Sequence, residues 1–261
     1  MAQNSAVSPD PNMPRPIDAA NSVFIEELTW LEVRDALRAG KTTAIVAAGG
    51  VEMNGPYLAT GKHNYILRAT AEAIARKLGN TLVAPIVPFV PEGDITPPTG
   101  HMRYPGTISV REATFEALLT DIASSLKQHG FREIYLISDS GGNVQGMKAV
   151  ASRLHTQWKG APRIHYVPEH YTYADTAKWL ETQGVKQKDE GHHDDFVMTS
   201  QMMTVNPETV RMNQRIAKGK FSINGVNLAP AEKTIALGKR VVDYRAATTV
   251  AAIRRLRGEK P

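Results

Sequence analysis

Apolar and polar positions along the chain fall into blocks that switch between a helical period and strand-like runs. Thr29-Trp30-Leu31-Glu32 sets a hydroxyl three residues before a glutamate, a capping box that opens a short helix ending near Gly40. Thr42 to Ala48 is an unbroken run of small and β-branched apolar residues, as in a strand buried on both faces. From Asn64 to Leu78, the residues Leu67, Ile74 and Leu78 recur at helical spacing, and Gly79 supplies a stop. Thr81 to Val90 is apolar again, but Pro85 and Pro88 confine a strand to its first half. Ser109-Val110-Arg111-Glu112 reads as a second capping box. It starts a helix with Phe115, Leu118, Leu119, Ile122 and Leu126 on one face and Gly130 beyond its end. Glu133 to Ser138 is the next buried strand, Val144 to Trp158 the next helix, and Arg163 to Val167 a short alternating strand. Helices follow over Thr172–Thr182, Phe196–Met203 and Ala231–Arg257, the last with a break expected near Gly238.

Strands separated by helices imply right-handed crossovers and a mainly parallel sheet covered on both sides. The expected fold is a single-domain three-layer α/β/α sandwich over residues 23–261, preceded by a disordered leader over residues 1–22. That leader is polar, carries Pro9, Pro11, Pro14 and Pro16, and lacks the apolar stretch of an intact signal peptide. Met1 standing directly before Ala2-Gln3 matches the junction that would be left if an initiator replaced a signal peptide at its cleavage site. A periplasmic or secreted origin is therefore the expectation, and a cytoplasmic one otherwise.

Composition narrows the classes. The chain has 261 residues, 42% hydrophobic and 22% charged, with a net charge of +5, which is ordinary for one globular domain. No basic stripe with stacking aromatics appears, so nucleic acid is not an expected partner. No apolar run approaches the roughly 20 residues of a membrane span. The absence of cysteine excludes disulfides, thiolate zinc sites and a Cys nucleophile.

Three polar clusters lie where loops would leave strand ends or enter helices, the places where parallel sheets bind ligands. Gly49 to Asn64 contains Glu52 and His63, a hard and a borderline ligand for a divalent ion, among glycines that let backbone approach closely. Ser138-Asp139-Ser140-Gly141-Gly142-Asn143 is a Gly-rich turn into a helix whose free N–H groups could hold an oxyanion. It echoes the nucleophile stretch of chymotrypsin-like proteases, but those are all-β proteins. Glu190 to Asp195 packs His192, His193 and three carboxylates into six residues, a composition suited to acid/base work or metal ligation. His101 sits in a Pro/Gly-rich stretch of the kind that walls active sites, whereas His129, His155, His165 and His170 read as structural or exposed.

Taken in order from about Phe24 to Met203, these motifs resemble the creatininase (creatinine amidohydrolase) family. The family's Glu-x-His-Gly-Pro-His-Leu-Pro stretch is similar to Glu52-Met53-Asn54-Gly55-Pro56-Tyr57-Leu58-Ala59, with Lys62-His63 where Thr-Asp is usual. His101 precedes Tyr104-Pro105-Gly106-Thr107 as a family histidine precedes Phe-Pro-Gly-Thr. Ser140-Gly141-Gly142-Asn143 stands for His-Gly-Gly-Asn, and His193 to Ser200 for His-Ala-Gly-x-x-Glu-Thr-Ser. The resemblance implies one or two bound divalent ions, zinc or manganese. Yet Asn54, His63, Ser140 and Met198 replace family ligands, so a standard two-ion site cannot be built. The expectation is a rearranged site with one ion or none, with Glu52, His63 and Asp139 as the metal set.

The resemblance implies a hydrolase of C–N bonds in a small cyclic amide or formamide-like substrate, with a homo-oligomer, a hexamer by family habit. His193 with Asp194 would carry proton transfer, and Asn54, Tyr57, His101, Ser140, Asn143 and His192 would shape the substrate pocket. Two other readings stand beside it. In one, Ser140 is a metal-free nucleophile with His193 as base, Asp194 or Asp139 orienting it, and the Gly141-Gly142 amides as oxyanion hole. In the other, the scaffold has lost catalysis and binds a small molecule.

Overall fold

A computed structural model describes residues 9–259; Met1 to Ser8 of the expected leader lie outside that range. Four parallel strands, β1 (Thr43–Ala48), β2 (Thr81–Val83), β3 (Glu133–Ser138) and β4 (Arg163–Tyr166), form a sheet in the order β2-β1-β3-β4. Every residue of β1 and β3 is buried, as their unbroken apolar runs require of central strands. Alternate β1 residues feed two separate cores. Ala44, Val46 and Ala48 pack with Phe115, Leu119, Met147, Val150 and Leu154 of α3 (Glu112–Gln128) and α4 (Val144–Gln157), with α1 (Trp30–Arg38) at the edge. Ile45 and Ala47 pack with Leu67, Ile74, Val250 and Ile253 of α2 (Lys62–Leu78) and α8 (Ala231–Arg257). These are the three expected layers. A third core, including Leu180, Phe196, Met202 and Val210, seats α5 (Tyr173–Thr182), α6 (Phe196–Val205) and α7 (Met212–Ala217) outside α2 and α8.

Several local expectations change. The Thr29 capping box is present in full, with Thr29 Oγ1 accepting from Glu32 N–H and the Glu32 carboxylate accepting from Thr29 N–H. The second box is not. Ser109 Oγ accepts from Glu92 N–H at 2.9 Å and donates to the Gly93 carbonyl at 2.7 Å, so α3 starts without a side-chain cap. The hydroxyl fastens the loop that carries Glu92. α2 begins at Lys62, two residues before the apolar pattern, which puts Lys62 and His63 on its first turn. The β2 strand stops at Val83, before both prolines. α7 and a two-stranded hairpin (Ser222–Ile223 with Val226–Asn227) had no periodic signal long enough to read. Residues 9–22 form no helix or strand, but Arg34 Nη1 donates to the carbonyls of Pro11 and Met13 at 2.9 and 2.7 Å, tying them to α1.

α8 runs unbroken from Ala231 to Arg257, so Gly238 is not a break. It is a crossing point. A Cβ there would lie 2.7 Å from the carbonyl carbon of Ser200 and 2.9 Å from Thr204 Cγ2 on α6. Alanine in a helix interior is worth up to about 1 kcal/mol over glycine, but overpacking costs about 1–3 kcal/mol. G238A is therefore expected to destabilise, read as a lower urea midpoint at unchanged m-value.

Candidate functional site

β1 and β3 run in register up to Ala48 and Ser138, and the strand order reverses between them. The chain leaving both strands emerges at this reversal, where parallel sheets open a crevice. Asn143 Nδ2, in the turn before α4, donates to the carbonyls of Ala48 and Gly49 at 3.2 and 2.8 Å. The Asn64 amide accepts from Gly50 N–H at 3.2 Å and donates to its carbonyl at 3.0 Å. Gly49 must be small there, since a Cβ would fall 3.1 Å from Asn64 Cγ. The loop so held delivers Glu52, α2 delivers Lys62 and His63, and the turn after β3 delivers Asp139.

These four join in a buried charged chain. His63 Nε2 lies 2.8 Å from Glu52 Oε1, and His63 Nδ1 lies 2.8 Å from Asp139 Oδ2. A ring that donates from both nitrogens is an imidazolium. Burial pushes His63 down, but the bonds to Asp139 and Glu52 outweigh it and its pKa is raised. Asp139 also accepts from Tyr173 Oη and from Arg245 Nη2, both at 2.7 Å. Burial would raise its carboxyl; the Arg245 charge and the His63 bond outweigh this and hold it well below the usual range. Arg245, wholly buried, also donates to Gln201 Oε1 at 3.0 Å and the His170 carbonyl at 2.9 Å.

Glu52, itself buried, is the end of the chain that faces the crevice. Lys62 Nζ, with no solvent exposure, lies 3.1 Å from Glu52 Oε1 but off the line of a good hydrogen bond, so the contact is one of charge. His101 Nε2 approaches Glu52 Oε2 at 3.4 Å, and His193 Nδ1 lies 3.8 Å from Oε1. Burial pushes Glu52 up, yet the His63 bond and the charges of His63 and Lys62 hold it well below normal. Beside it, Glu92 goes the other way: burial and the Glu52 charge push it up to about 9, so the pair shares one proton at neutral pH. The His193 ring lies 4.5 Å from that of His101, tilted by 33°, and donates to the Met53 carbonyl through Nδ1 at 3.0 Å. Burial and Lys62 lower its pKa, keeping it neutral.

A cavity of about 380 Å³ gathers Glu52, His63, Glu92, His101, Ser140, Gly141, Gly142, Tyr171, His193 and Met198. A larger cleft of about 820 Å³ lies at the opposite strand ends, but Arg163 and Arg257 there are already paired with Glu133. Of the residues expected from sequence, Glu52, His63, His101, Ser140 and His193 line the site and Asp139 stands directly behind His63. Asn143 supports the loop. Asn54 turns its amide to the carbonyls of Glu52 and Ala59 at 3.2 and 3.1 Å. Tyr57 stacks on Arg215, 4.3 Å away. Asp194 packs against Gly55 instead of orienting His193, and His192 is exposed. No imidazole is hydrogen-bonded to the Ser140 hydroxyl among the described residues. Lys62 entered the sequence reading only as the neighbour of His63, and Glu92, Tyr173 and Arg245 were given no role there. Arg245 alone left a trace, falling on the apolar stripe of α8 between Val242 and Thr249.

Fold and site together define a three-layer α/β protein with a carboxylate–imidazole pocket at the sheet's reversal. The family model for creatinine amidohydrolase matches residues 26–253, and the chain belongs to the creatininase family. Relatives include the creatinine amidohydrolase of Pseudomonas putida, 28% identical over 46% of this chain and 45% of the relative. The 3-dehydro-scyllo-inosose hydrolase of Thermotoga maritima is 27% identical over 48% of this chain and 38% of its own. The mycofactocin precursor peptide peptidase of Mycolicibacterium smegmatis is 27% identical over 45% of this chain and 47% of its own. These matches thus span less than half of each relative. Among solved structures, a tryptophan-to-alanine mutant creatininase is similar with a TM-score of 0.65 at 21% identity, over 90% of this chain and 98% of the other. A manganese form scores 0.63 at 20% over 90% and 98%. A zinc–zinc form scores 0.62 at 21% over 91% and 99%.

Two of those neighbours are metal forms, which makes the fit of this donor set the next question. Both nitrogens of His63 and both oxygens of Asp139 are already spent within the chain. Glu52, His101 and His193 each offer one ligand atom within 4.8 Å of the others, a spacing that could hold an ion. However, Glu52 Oε1 already faces the Lys62 ammonium and the His63 ring. A two-ion centre does not fit these residues. Among the described residues, no helix is long and apolar enough to cross a membrane.

Proposed function

We propose that the protein is a hydrolase of a C–N bond in a small cyclic amide or formamide-like substrate. One observation carries the reading: Glu52 and Glu92 stand side by side at the pocket in opposite protonation states. Paired carboxyls whose surroundings drive them apart are how one site performs acid and base chemistry at one pH. Ionised Glu52 would orient water and take its proton as it attacks the carbonyl carbon. Neutral Glu92 would pass a proton to the departing nitrogen. His193, uncharged and beside Glu52, would relay between them. The Gly141-Gly142 turn at the start of α4 offers backbone N–H groups to the oxygen that gains charge. Membership of a family whose relatives are named as hydrolases and a peptidase supports the class.

The sequence-based expectation of metal assistance through Glu52, His63 and Asp139 is not carried into this mechanism, because His63 and Asp139 have no free ligand atom. The exposed apolar residues Phe89, Ile95, Tyr104 and Ile108 on the loop beside the pocket suit packing of a second copy, consistent with a homo-oligomer. A screen of lactams, hydantoins, formamides and lactones tests the function. Turnover of an amide that is lost in E92Q is the expected result. Thermal stabilisation by a ligand without turnover of any member would replace this reading with that of a binding protein.

A further inference from the structure

We propose that side-chain cations of this chain, Lys62 and Arg245 bridged by His63, supply at Glu52 and Asp139 the positive charge that a divalent ion would otherwise supply, and that the centre takes no divalent ion. The first argument is distance. Two oxygens sharing one zinc can stand no more than about 4.4 Å apart, since each lies about 2.0–2.2 Å from the ion. Here the Glu52 and Asp139 oxygens are separated by a whole imidazole and a 2.8 Å hydrogen bond on each side, along two N–H directions that diverge. The ring spaces the carboxylates beyond the reach of a single ion.

The second argument is charge. Two carboxylates in a dry crevice need positive charge to remain ionised, and a divalent ion is one source of it. In this chain the source is internal. Lys62 has no solvent exposure and lies 3.1 Å from Glu52, and Arg245 has almost none and lies 2.7 Å from Asp139. Lys62 stands on the first turn of α2, where the helix dipole disfavours a cation, so the helix itself does not account for its position. Glu52 does. An ion on Glu52, His101 and His193 would have to share that carboxylate with the ammonium. Lys62 is thus a positioning residue, acting on the pocket through Glu52.

The test uses the full chain, incubated with zinc or manganese chloride, desalted and examined by elemental analysis and thermal unfolding. Bound ions stabilise the folded state by mass action, so melting temperature reports binding without any substrate. The expected result is less than about 0.1 equivalent of either metal and a melting temperature moved by less than about 1 °C by metal or chelator. Retention of about one equivalent with a raised melting temperature overturns the proposal. K62M, stripped of the ammonium, is expected to gain a zinc-dependent rise in melting temperature that K62R does not show. A K62M protein as indifferent to zinc as the parent removes Lys62 from the assignment. Should K62M not fold, the measurement on the parent decides. Because no readout depends on turnover, failure here is distinguishable from failure of the proposed hydrolase activity.

Discussion

Replacing Arg245 with methionine is expected to lower the unfolding free energy by about 3–5 kcal/mol, the cost of leaving a buried charge without its partner. Methionine keeps much of the length and packing of arginine, so the loss comes from Asp139. That carboxylate is fully buried and receives Arg245 at 2.7 Å, with only Tyr173 and His63 left to it afterwards. R245M should then melt at lower urea with an unchanged m-value. The double variant R245M/D139N should recover part of the loss, because removing both partners leaves no charge stranded. A cost below about 1 kcal/mol would mean that the Asp139 charge is answered elsewhere.

The second large effect concerns turnover. E52Q preserves the shape of the side chain but removes the group assigned to water, and kcat on an amide found in the screen is expected to fall by about 10²–10⁴-fold. Circular dichroism and the urea midpoint would separate that loss from unfolding. The parent enzyme should also lose kcat/KM as pH climbs toward 9, where Glu92 gives up the proton it must donate. The sign follows from the raised pKa: the acid form is present below it and vanishes above. E92Q cannot show that limb. Retention of activity in E52Q within about tenfold would end the acid/base assignment.

Why some of this was legible in the sequence is a matter of range. β1 and β3 announce themselves because a strand buried on both faces has no polar side to display. Thr29 caps its helix as its spacing suggested, since capping is settled within one turn. Ser109 carries the same spacing, but its hydroxyl is claimed by the Glu92–Gly93 backbone across the loop. Gly238 looked like a breaker because helix propensity is local, whereas its reason is the carbonyl of Ser200 on another helix. The site divides likewise. Glu52, His63 and Asp139 could be named from their positions after strands, but not their joining into one chain through the ring of His63. Lys62 and Glu92 are ordinary surface types in sequence, and only burial beside Glu52 changes their chemistry. Tyr57 and Asp194 were drawn toward the site by neighbouring residues in sequence, and the backbone turned them away.

The Arg245–Asp139 contact joins residues 106 positions apart, and it comes from the last long helix of the fold. Until α8 docks, Asp139 has no guanidinium and α2 lacks one of the two helices that cover it. During synthesis, the sheet and its first helices can assemble while the crevice is still electrostatically unfinished. Ionisation of the pocket is therefore coupled to closure of the whole domain. A half-made chain would hold the residues of the site without the charge states that give them their chemistry.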